Sequence, residues 1–271
     1  MRLYDCCMYF DEDLVLDLRL NILSDYVDEF IIAEATRDHT GREKKLNFDF
    51  KNFLKFKDKI NYIVVDDLPT THKSSKKNWS EHHIRDQYQR NALSRGYKNC
   101  SDEDLIMISD IDEIPNPKKI QEFQLKNIYA CFMQKNLHLK INLLNISEKN
   151  WMGTKICQRK HLKSPQWLRN IKTKQKKFWK FYKPKEPQLI IEGGWHFNDL
   201  KNAQGILKKI KSFAHQEYNK DEFTDEKKIL KRIRENKDIF DRKFEYKKIE
   251  LDESFPKYIL NNKNLFREWI I

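Results

Sequence analysis

Two carboxylates separated by one residue, Asp110 and Asp112, are the side chains in this sequence best suited to chemistry. They follow the apolar run of residues 105–108 and precede Pro115, whose ring disfavours continued hydrogen-bonded structure. In open α/β sheets, ligands bind beyond the carboxyl ends of the strands, which is where these acids fall. Two carboxylates in this position can hold one hard divalent cation that neutralises a diphosphate group. The segment therefore predicts a site for Mg²⁺ or Mn²⁺.

Two other interpretations of this acidic segment are open at the level of sequence. The carboxylates of Asp110, Asp112 and Glu113 could cap a following helix, because acidic side chains accept hydrogen bonds from its first backbone N–H groups. A calcium-binding EF-hand loop is disfavoured, since its sixth position requires Gly and is Pro115 here. Placement directly after a strand favours metal binding over capping.

A second cluster, GGWHF at residues 193–197, follows a strand-like stretch at residues 188–192. Paired glycines allow close approach of the backbone or a positive φ. An aromatic ring beside a histidine suits a pocket for a sugar or nucleotide, which makes Trp195 a candidate contact for such a ligand. His196 is a candidate third metal ligand, and a packed, hydrogen-bonded histidine is the alternative.

A third cluster lies at the end of the second predicted strand, in residues 34–44. Its basic and hydroxyl-bearing side chains can receive the polar groups of a nucleotide. A solvated turn around Gly41 is the alternative, because Gly supplies the backbone conformation that tight turns need. The nucleotide-binding interpretation assigns that role to Glu34, Arg37, Gly41 and Lys44.

The elements that must position these clusters alternate between strand and helix in the first half of the chain. Short apolar runs predict strands at residues 2–10, 27–35, 60–65 and 105–109. Acidic residues 11–13 precede a helix that carries Leu14, Leu18 and Ile22 at four-residue spacing, and residues 79–95 predict a second helix. Near-continuous apolar strands alternating with helices indicate an α/β fold with a mostly parallel central sheet, flanked by helices on both faces.

The second half of the chain builds around this sheet and ends in helices. Residues 129–144 show a longer, partly alternating strand pattern. Residues 200–215 and 224–234 predict helices, and residues 255–271 predict a short irregular tail. We therefore predict a single domain over residues 1–271, with a helical C-terminal part from about residue 200 onward.

The composition narrows the class of protein. Of 271 residues, 39% are hydrophobic and 13% aromatic, which is enough to bury a core and argues against a disordered chain. The five cysteines form no CxxC pair, so neither a disulfide framework nor a zinc site is predicted. No apolar run is long enough to cross a bilayer and no secretory signal is visible, so we expect a cytoplasmic protein.

Four blocks of the sequence resemble glycosyltransferase family 17, the group that contains the β-1,4-mannosyl-glycoprotein β-1,4-N-acetylglucosaminyltransferase. The resemblance runs from Tyr4 to about Arg242. The blocks are FDEDLVLDLRLNIL at residues 10–23, VDEFIIAEATRDHTGREKKLNF at residues 27–48, SDIDEIP at residues 109–115 and GGWHF at residues 193–197. A DxD pair alone is weakly specific, whereas four blocks in this order are specific.

The resemblance implies a GT-A-like fold, an inverting transfer and a UDP-sugar donor, which in animals is UDP-N-acetylglucosamine. The metal motif of the family matches Asp110 and Asp112, and its GWH block matches Gly194, Trp195 and His196. No membrane anchor, lumenal stem or additional cysteines like those of the animal enzymes are recognised in residues 1–271, so we expect a protein without them. The expected acceptor is therefore a glycan, polysaccharide or lipid-linked saccharide of bacterial type rather than a glycoprotein.

Inversion requires a carboxylate base that takes a proton from the acceptor hydroxyl while the leaving nucleotide is stabilised. Glu113 and Asp199 are the candidates, because each lies close in sequence to one of the two motifs. A metal-dependent nucleotidyltransferase is the rival enzyme class. It usually needs a Gly-rich phosphate loop early in the chain, and none follows the first predicted strand.

The charge of the chain favours anionic partners, since 53 Lys and Arg against 41 Asp and Glu give a net charge of +12. Residues 172–185 hold seven Lys around four aromatic side chains, which fits contact with an anionic membrane or a mobile acceptor loop. A solvated basic loop with its aromatic side chains in the core is the alternative. The alternative function that is not enzymatic is nucleic-acid binding. No nucleic-acid-binding motif accompanies the positive charge, so no nucleic-acid partner is expected.

Overall fold

The structure is a computed structural model that describes residues 1–69, 81–173, 186–212 and 219–271. The described residues form a mixed sheet of ten strands flanked by helices. The strands are β1 (Leu3–Met8), β2 (Glu29–Ala35), β3 (Ile60–Val65), β4 (Leu105–Ser109), β5 (Glu113–Pro115), β6 (Tyr129–His138), β7 (Leu143–Asn145), β8 (Asn150–Gln158), β9 (Gln188–Asn198) and β10 (Tyr246–Lys248). The helices are α1 (Asp13–Leu23), α2 (Glu81–Ala92), α3 (Pro117–Ile120), α4 (Pro165–Arg169), α5 (Ala203–Ser212), α6 (Glu226–Arg234) and α7 (Lys257–Asn261).

The sheet has two halves that differ in strand direction. Its order is β10-β7-β6-β8-β4-β1-β2-β3, and β9 pairs with β6 and β5. The strands β4, β1, β2 and β3 run parallel to one another, as predicted for the first half of the chain. Beyond β4, the parallel pair of β6 and β9 is surrounded by antiparallel pairs. The prediction of a mostly parallel sheet is therefore wrong for the second half.

Three of the four parallel strands, β1, β2 and β4, are buried on both faces because their alternate side chains enter two different cores, whereas β3 at the edge of the sheet is only partly buried. In β2, Phe30 and Ile32 pack in the core that contains α1. The intervening Ile31 and Ala33 pack in the core that contains the end of α2 and part of α4. Because both faces of these strands are buried, most of their successive residues are apolar.

The C-terminal part contains helices but is not wholly helical. The helices α5 and α6 form within the predicted segments, and residues 213–215 of the first prediction lie outside the described residues. The strand β10 joins the sheet beside β7. The predicted irregular tail contains α7, and Phe255, Ile259 and Phe266 bury their side chains in the core beside α1. Apolar burial therefore orders a segment whose sequence lacks a clear periodic pattern.

Gly194 in β9 has a backbone φ of +136°, a conformation that L side chains rarely adopt. A Cβ atom at this position would lie 2.2 Å from the backbone oxygen of Ile114 in β5. We expect Gly194→Ala to lower the free energy of unfolding by about 1–3 kcal/mol, measured by urea denaturation. In the control Gly205→Ala, the nearest atom would be Lys201 Cβ at 3.2 Å, and the change should stay within about 1 kcal/mol. Equal losses in the two variants would contradict this account of Gly194.

Candidate active site

A cavity of about 300 Å³ opens at the carboxyl ends of β1, β2 and β4. The segments that follow these strands contribute Phe10, Arg37 and Asp110 to its wall. Residues of β6, β9 and β10 contribute to the rest. This edge of the sheet is where ligands of open α/β folds bind, and the acidic motif lies at it as the sequence predicts.

Arg19 on α1 fixes the backbone of the acidic motif. Its guanidinium is fully buried and donates two hydrogen bonds of 2.6 Å to the carboxylate of Asp5. It also donates to the backbone oxygens of Asp110, Ile111 and Glu113 at 3.3, 3.1 and 3.0 Å. Burial acts to lower the pKa of Arg19, but the Asp5 carboxylate outweighs burial and the pKa is raised. A buried ion pair therefore holds the loop that carries the acids.

The carboxylate of Asp110 is engaged by two arginines. Arg90 Nη2 donates to Asp110 Oδ1 at 3.2 Å, and Arg169 Nη2 donates to Asp110 Oδ2 at 2.7 Å. Burial acts to raise the pKa of Asp110, but the two guanidinium groups hold it well below its usual range. Asp110 is therefore ionised and already paired with positive charge.

Asp112 lies opposite His196, with 3.7 Å between Asp112 Oδ1 and His196 Nε2. Its side chain is 17% exposed and lines the cavity. Burial raises the pKa of Asp112 to about 7; Lys209 acts to lower it, and the carboxylates of Asp110 and Asp199 act to raise it. Unlike Asp110, Asp112 has no arginine that compensates its charge in the described part of the chain.

A chain of hydrogen bonds determines which nitrogen of His196 faces Asp112. The amide of Asn136 donates to the backbone oxygen of Glu148 at 2.9 Å, so Asn136 Oδ1 is the atom that meets His196 Nδ1 at 3.2 Å. Because an amide oxygen only accepts, Nδ1 carries the proton and Nε2 presents a lone pair. Burial lowers the pKa of His196 to about 4, and the ring stacks on Trp151 with 4.6 Å between centroids. His196 is therefore a neutral imidazole in a fixed orientation.

The two predicted base candidates already accept hydrogen bonds from other groups of the protein. Glu113 is fully buried, and it accepts hydrogen bonds from Trp151 Nε1 at 2.7 Å and from the backbone N–H of Asp110 at 3.0 Å. Asp199 accepts a hydrogen bond from Lys209 at 2.8 Å. Burial acts to raise the pKa of Asp199, but Lys209 lowers it to about 2. These contacts suit residues that position neighbours, and they give neither carboxylate a free face toward an acceptor.

The four residues predicted to bind a nucleotide after β2 differ in placement. Arg37 and Lys44 line the cavity. Glu34 is fully buried, pairs with Lys44 and accepts hydrogen bonds from the backbone N–H groups of residues 47–48 at 2.8 and 3.0 Å. Gly41 has a φ of +93° and forms the turn of this segment, as the alternative interpretation expects. Glu34 and Gly41 therefore shape the segment that presents Arg37 and Lys44.

Trp195 faces away from the cavity, contrary to its predicted contact with a donor. Adjacent residues of a strand point to opposite faces, so Trp195 and His196 in β9 cannot line the same wall. The Trp195 indole is buried in the core beside α1 and donates to the backbone oxygen of Ser254 at 3.1 Å. Trp151, which has no recognisable motif around it, supplies an indole to the cavity instead.

Several residues of the site have no signal in the sequence. Arg169, Asn136 and Trp151 reach it from three separate elements, α4, β6 and β8. The helix α2 offers a weak signal, because it covers the sheet yet buries Gln89 and Arg90 where an ordinary helix would bury apolar side chains. A buried polar face of this kind points to a site that needs those groups.

The predicted metal ligands Asp110, Asp112 and His196 do not form one three-ligand cluster. Among the residues that the structure describes, no group of three His, Cys, Asp or Glu side chains is placed to hold a metal ion. Since Asp110 is paired with arginines, Asp112 and His196 are the two groups available to a cation.

The segment predicted to contact a membrane or an acceptor, residues 172–185, lies outside the described residues from position 174 onward. Its role stays a prediction. In the described ranges, no helix combines the length and apolar character that a membrane span requires.

The large α/β sheet and the cavity at its strand ends suit an enzyme that handles a nucleotide-linked substrate. Comparison with known families gives the class: the model of glycosyltransferase family 17 matches residues 1–266, so the protein is a glycosyltransferase with a sugar donor and a carbohydrate acceptor. The chain belongs to glycosyltransferase family 17, as its four motif blocks imply. No curated protein matches the chain.

Proposed function

We propose that this glycosyltransferase has a GT-A-type fold and moves a sugar, N-acetylglucosamine in the first instance, from a UDP-sugar to its acceptor with inversion and with a divalent cation. The observation that carries the proposal is the pair of Asp112 and neutral His196 at the strand-end cavity. The cavity volume of about 300 Å³ is at the lower end of the range for small-molecule sites. The choice of UDP and N-acetylglucosamine rests on the family resemblance.

The pair of Asp112 and His196 fits one Mn²⁺ or Mg²⁺ ion. A carboxylate oxygen and an imidazole lone pair face each other at 3.7 Å, which is too far for a hydrogen bond. Bonds of about 2.1 Å to a shared cation join atoms up to about 4.2 Å apart, so this separation is compatible with one ion. Water and the donor diphosphate would supply the remaining oxygen ligands. When bound, the cation would neutralise charge that develops on the departing nucleoside diphosphate.

Three cationic side chains on the cavity wall support binding of a diphosphate. Arg37, Lys44 and Lys209 all line the cavity. Lys209 is held by Asp199 at 2.8 Å, so Asp199 acts as a positioning residue for a cation near the phosphates. Asp110, kept ionised by its two arginines, can accept hydrogen bonds from donor hydroxyl groups through its remaining lone pairs.

Aromatic side chains on the cavity wall support a carbohydrate acceptor. Trp151, Phe244 and Tyr246 line the cavity, and such rings offer flat apolar surface against which a sugar ring can pack. We propose a glycan, polysaccharide precursor or lipid-linked saccharide as the acceptor.

The loop after β1 argues against the rival nucleotidyltransferase. A phosphate-binding loop presents free backbone N–H groups to its ligand. Here the carboxylate of Glu12 accepts hydrogen bonds from the N–H groups of Phe10 and Asp11 at 2.9 and 3.0 Å. The chain's own acid therefore occupies donors that a phosphate would need.

A panel of nucleotide sugars with Mn²⁺ tests the proposed function. A donor at 100 times its Kd stabilises the folded state by about 2.7 kcal/mol, which appears as a rise in Tm. We expect UDP-N-acetylglucosamine to give the largest rise and to release UDP when octyl α-mannoside is added, with both effects lost in EDTA. Stabilisation by no UDP-sugar, together with pyrophosphate release from a nucleoside triphosphate and a sugar phosphate, would instead establish the nucleotidyltransferase.

A further inference from the structure

The carboxylates on the cavity wall differ in what already binds them. Within the described residues they are Glu12, Asp38, Asp110, Asp112 and Glu148. Backbone N–H groups and a lysine bind Glu12, and a hydroxyl and an arginine bind Asp38. Two arginines bind Asp110. Asp112 faces the neutral histidine of the proposed cation site. Of these five carboxylates, Glu148 is the one that these contacts do not account for.

The backbone of Glu148 is held at the cavity while its carboxylate is not. Asn145 Oδ1 accepts a hydrogen bond from the N–H of Glu148 at 3.0 Å, and Asn136 donates to its backbone oxygen at 2.9 Å. Both asparagines are buried and line the cavity. In the described parts of the chain, nothing donates a hydrogen bond to the Glu148 carboxylate and no cation pairs with it. Two buried residues therefore hold the backbone of a solvent-accessible acid that has no partner among the described residues.

The same asparagine connects this acid to the proposed cation site. Asn136 meets His196 through its oxygen and Glu148 through its nitrogen, so one amide sets the relative placement of both. Phe244 and Tyr246, which suit an acceptor sugar, line the same cavity as Glu148. An exposed carboxylate whose backbone is held at the wall of this cavity suits a general base, which must reach the proton of the acceptor hydroxyl.

We propose that Glu148 is the catalytic base of the transfer, an inference that rests on the proposed function. The Glu148 carboxylate takes the proton of the acceptor hydroxyl as that oxygen forms a bond to the anomeric carbon of the donor. The bond from this carbon to the diphosphate oxygen breaks, and its electron pair leaves with the nucleoside diphosphate. The proton passes from Glu148 to water after the step, so no further reactant is needed.

The test compares Glu148→Gln and Glu148→Asp with wild type in UDP release from UDP-N-acetylglucosamine, with octyl α-mannoside or water as the nucleophile. Loss of a general base should lower kcat for Glu148→Gln by about 10²–10⁴-fold, and Glu148→Asp, which keeps a carboxylate, should retain more activity. The donor Kd from thermal shift should change by less than about threefold in both. The matched control Glu245→Gln removes an exposed acid next to the loop, where the Glu245 N–H donates to Ser147 Oγ at 3.0 Å, and should leave kcat unchanged.

The outcomes separate this role from the proposed function. Equal kcat in wild type and Glu148→Gln would overturn the role of Glu148 and leave the glycosyl transfer standing. A Glu148→Gln variant with raised KM and unchanged kcat would make Glu148 an acceptor-binding residue rather than a base. Formate that restores turnover to Glu148→Ala would support the base, because a small carboxylate replaces the missing group. A wild type that neither binds nor cleaves any UDP-sugar would overturn both proposals.

Discussion

Asp112→Asn is expected to lower kcat by about 10²–10⁴-fold while the fold stays intact, because the amide keeps the size of the side chain but loses the charge that would hold the proposed cation. Burial raises the pKa of Asp112 to about 7, so its ionised form is unfavourable in the protein without a cation. The neutral amide should therefore leave Tm at pH 8 without metal equal to wild type or higher. UDP release with Mn²⁺ and thermal melts without it measure the two effects.

Two further variants test whether the expected effects are specific to Asp112. Asp110→Asn should lower both activity and Tm, because it removes one of the two carboxylates that pair with each of Arg90 and Arg169 and leaves them only Asp86 and Glu113. Asp102→Asn, at an exposed position away from the cavity, should change neither. Near wild-type turnover by Asp112→Asn in saturating donor would remove the cation role of this residue.

Arg19→Met should lower the free energy of unfolding by about 3–5 kcal/mol, the cost of leaving a buried carboxylate without its partner. Arg19 and Asp5 are both fully buried and joined by two hydrogen bonds of 2.6 Å. The variant also loses the donors to the backbone oxygens of the acidic loop, so its remaining folded fraction should bind the donor more weakly. Urea denaturation and donor-dependent thermal shift measure these losses.

The control for this prediction is Arg2→Met, since Arg2 forms an exposed ion pair with Glu29 at 3.2 Å and should contribute less than about 1 kcal/mol. The double variant with Asp5→Leu and Arg19→Met removes both charges and should be more stable than Arg19→Met alone. A loss as small as that of Arg2→Met would show that the buried pair does not hold the loop.

The parallel half of the fold was predictable because its signals are local. The apolar runs that predict β1, β2 and β4 arise from burial on both faces, and acids directly after β4 must fall at the carboxyl edge of the sheet. The antiparallel half was not predictable in the same way. β6 pairs with β8 and β9, and the sequence of β6 carries no information about which distant segments these are.

The same distinction between local and distant contacts applies to the residues of the candidate site. The motifs identify Asp110, Asp112 and His196. The end of β4 positions the two acids by local geometry, whereas the pairing of β5 with the distant β9 brings His196 to them. The motifs do not show that arginines engage Asp110 or that Glu113 turns into the interior, since those partners come from α2, α4 and β8.

By itself, the sequence determined the family, the parallel strands and the edge at which the acidic motif lies, because each depends on residues close together along the chain. Only the tertiary structure decided which motif residues face the cavity. The alternation of β9 turns Trp195 into the core and His196 toward Asp112, and the amide of Asn136 joins His196 to Glu148. These placements depend on contacts between segments far apart in sequence. The residue types and spacing of one segment do not show which distant segment it contacts.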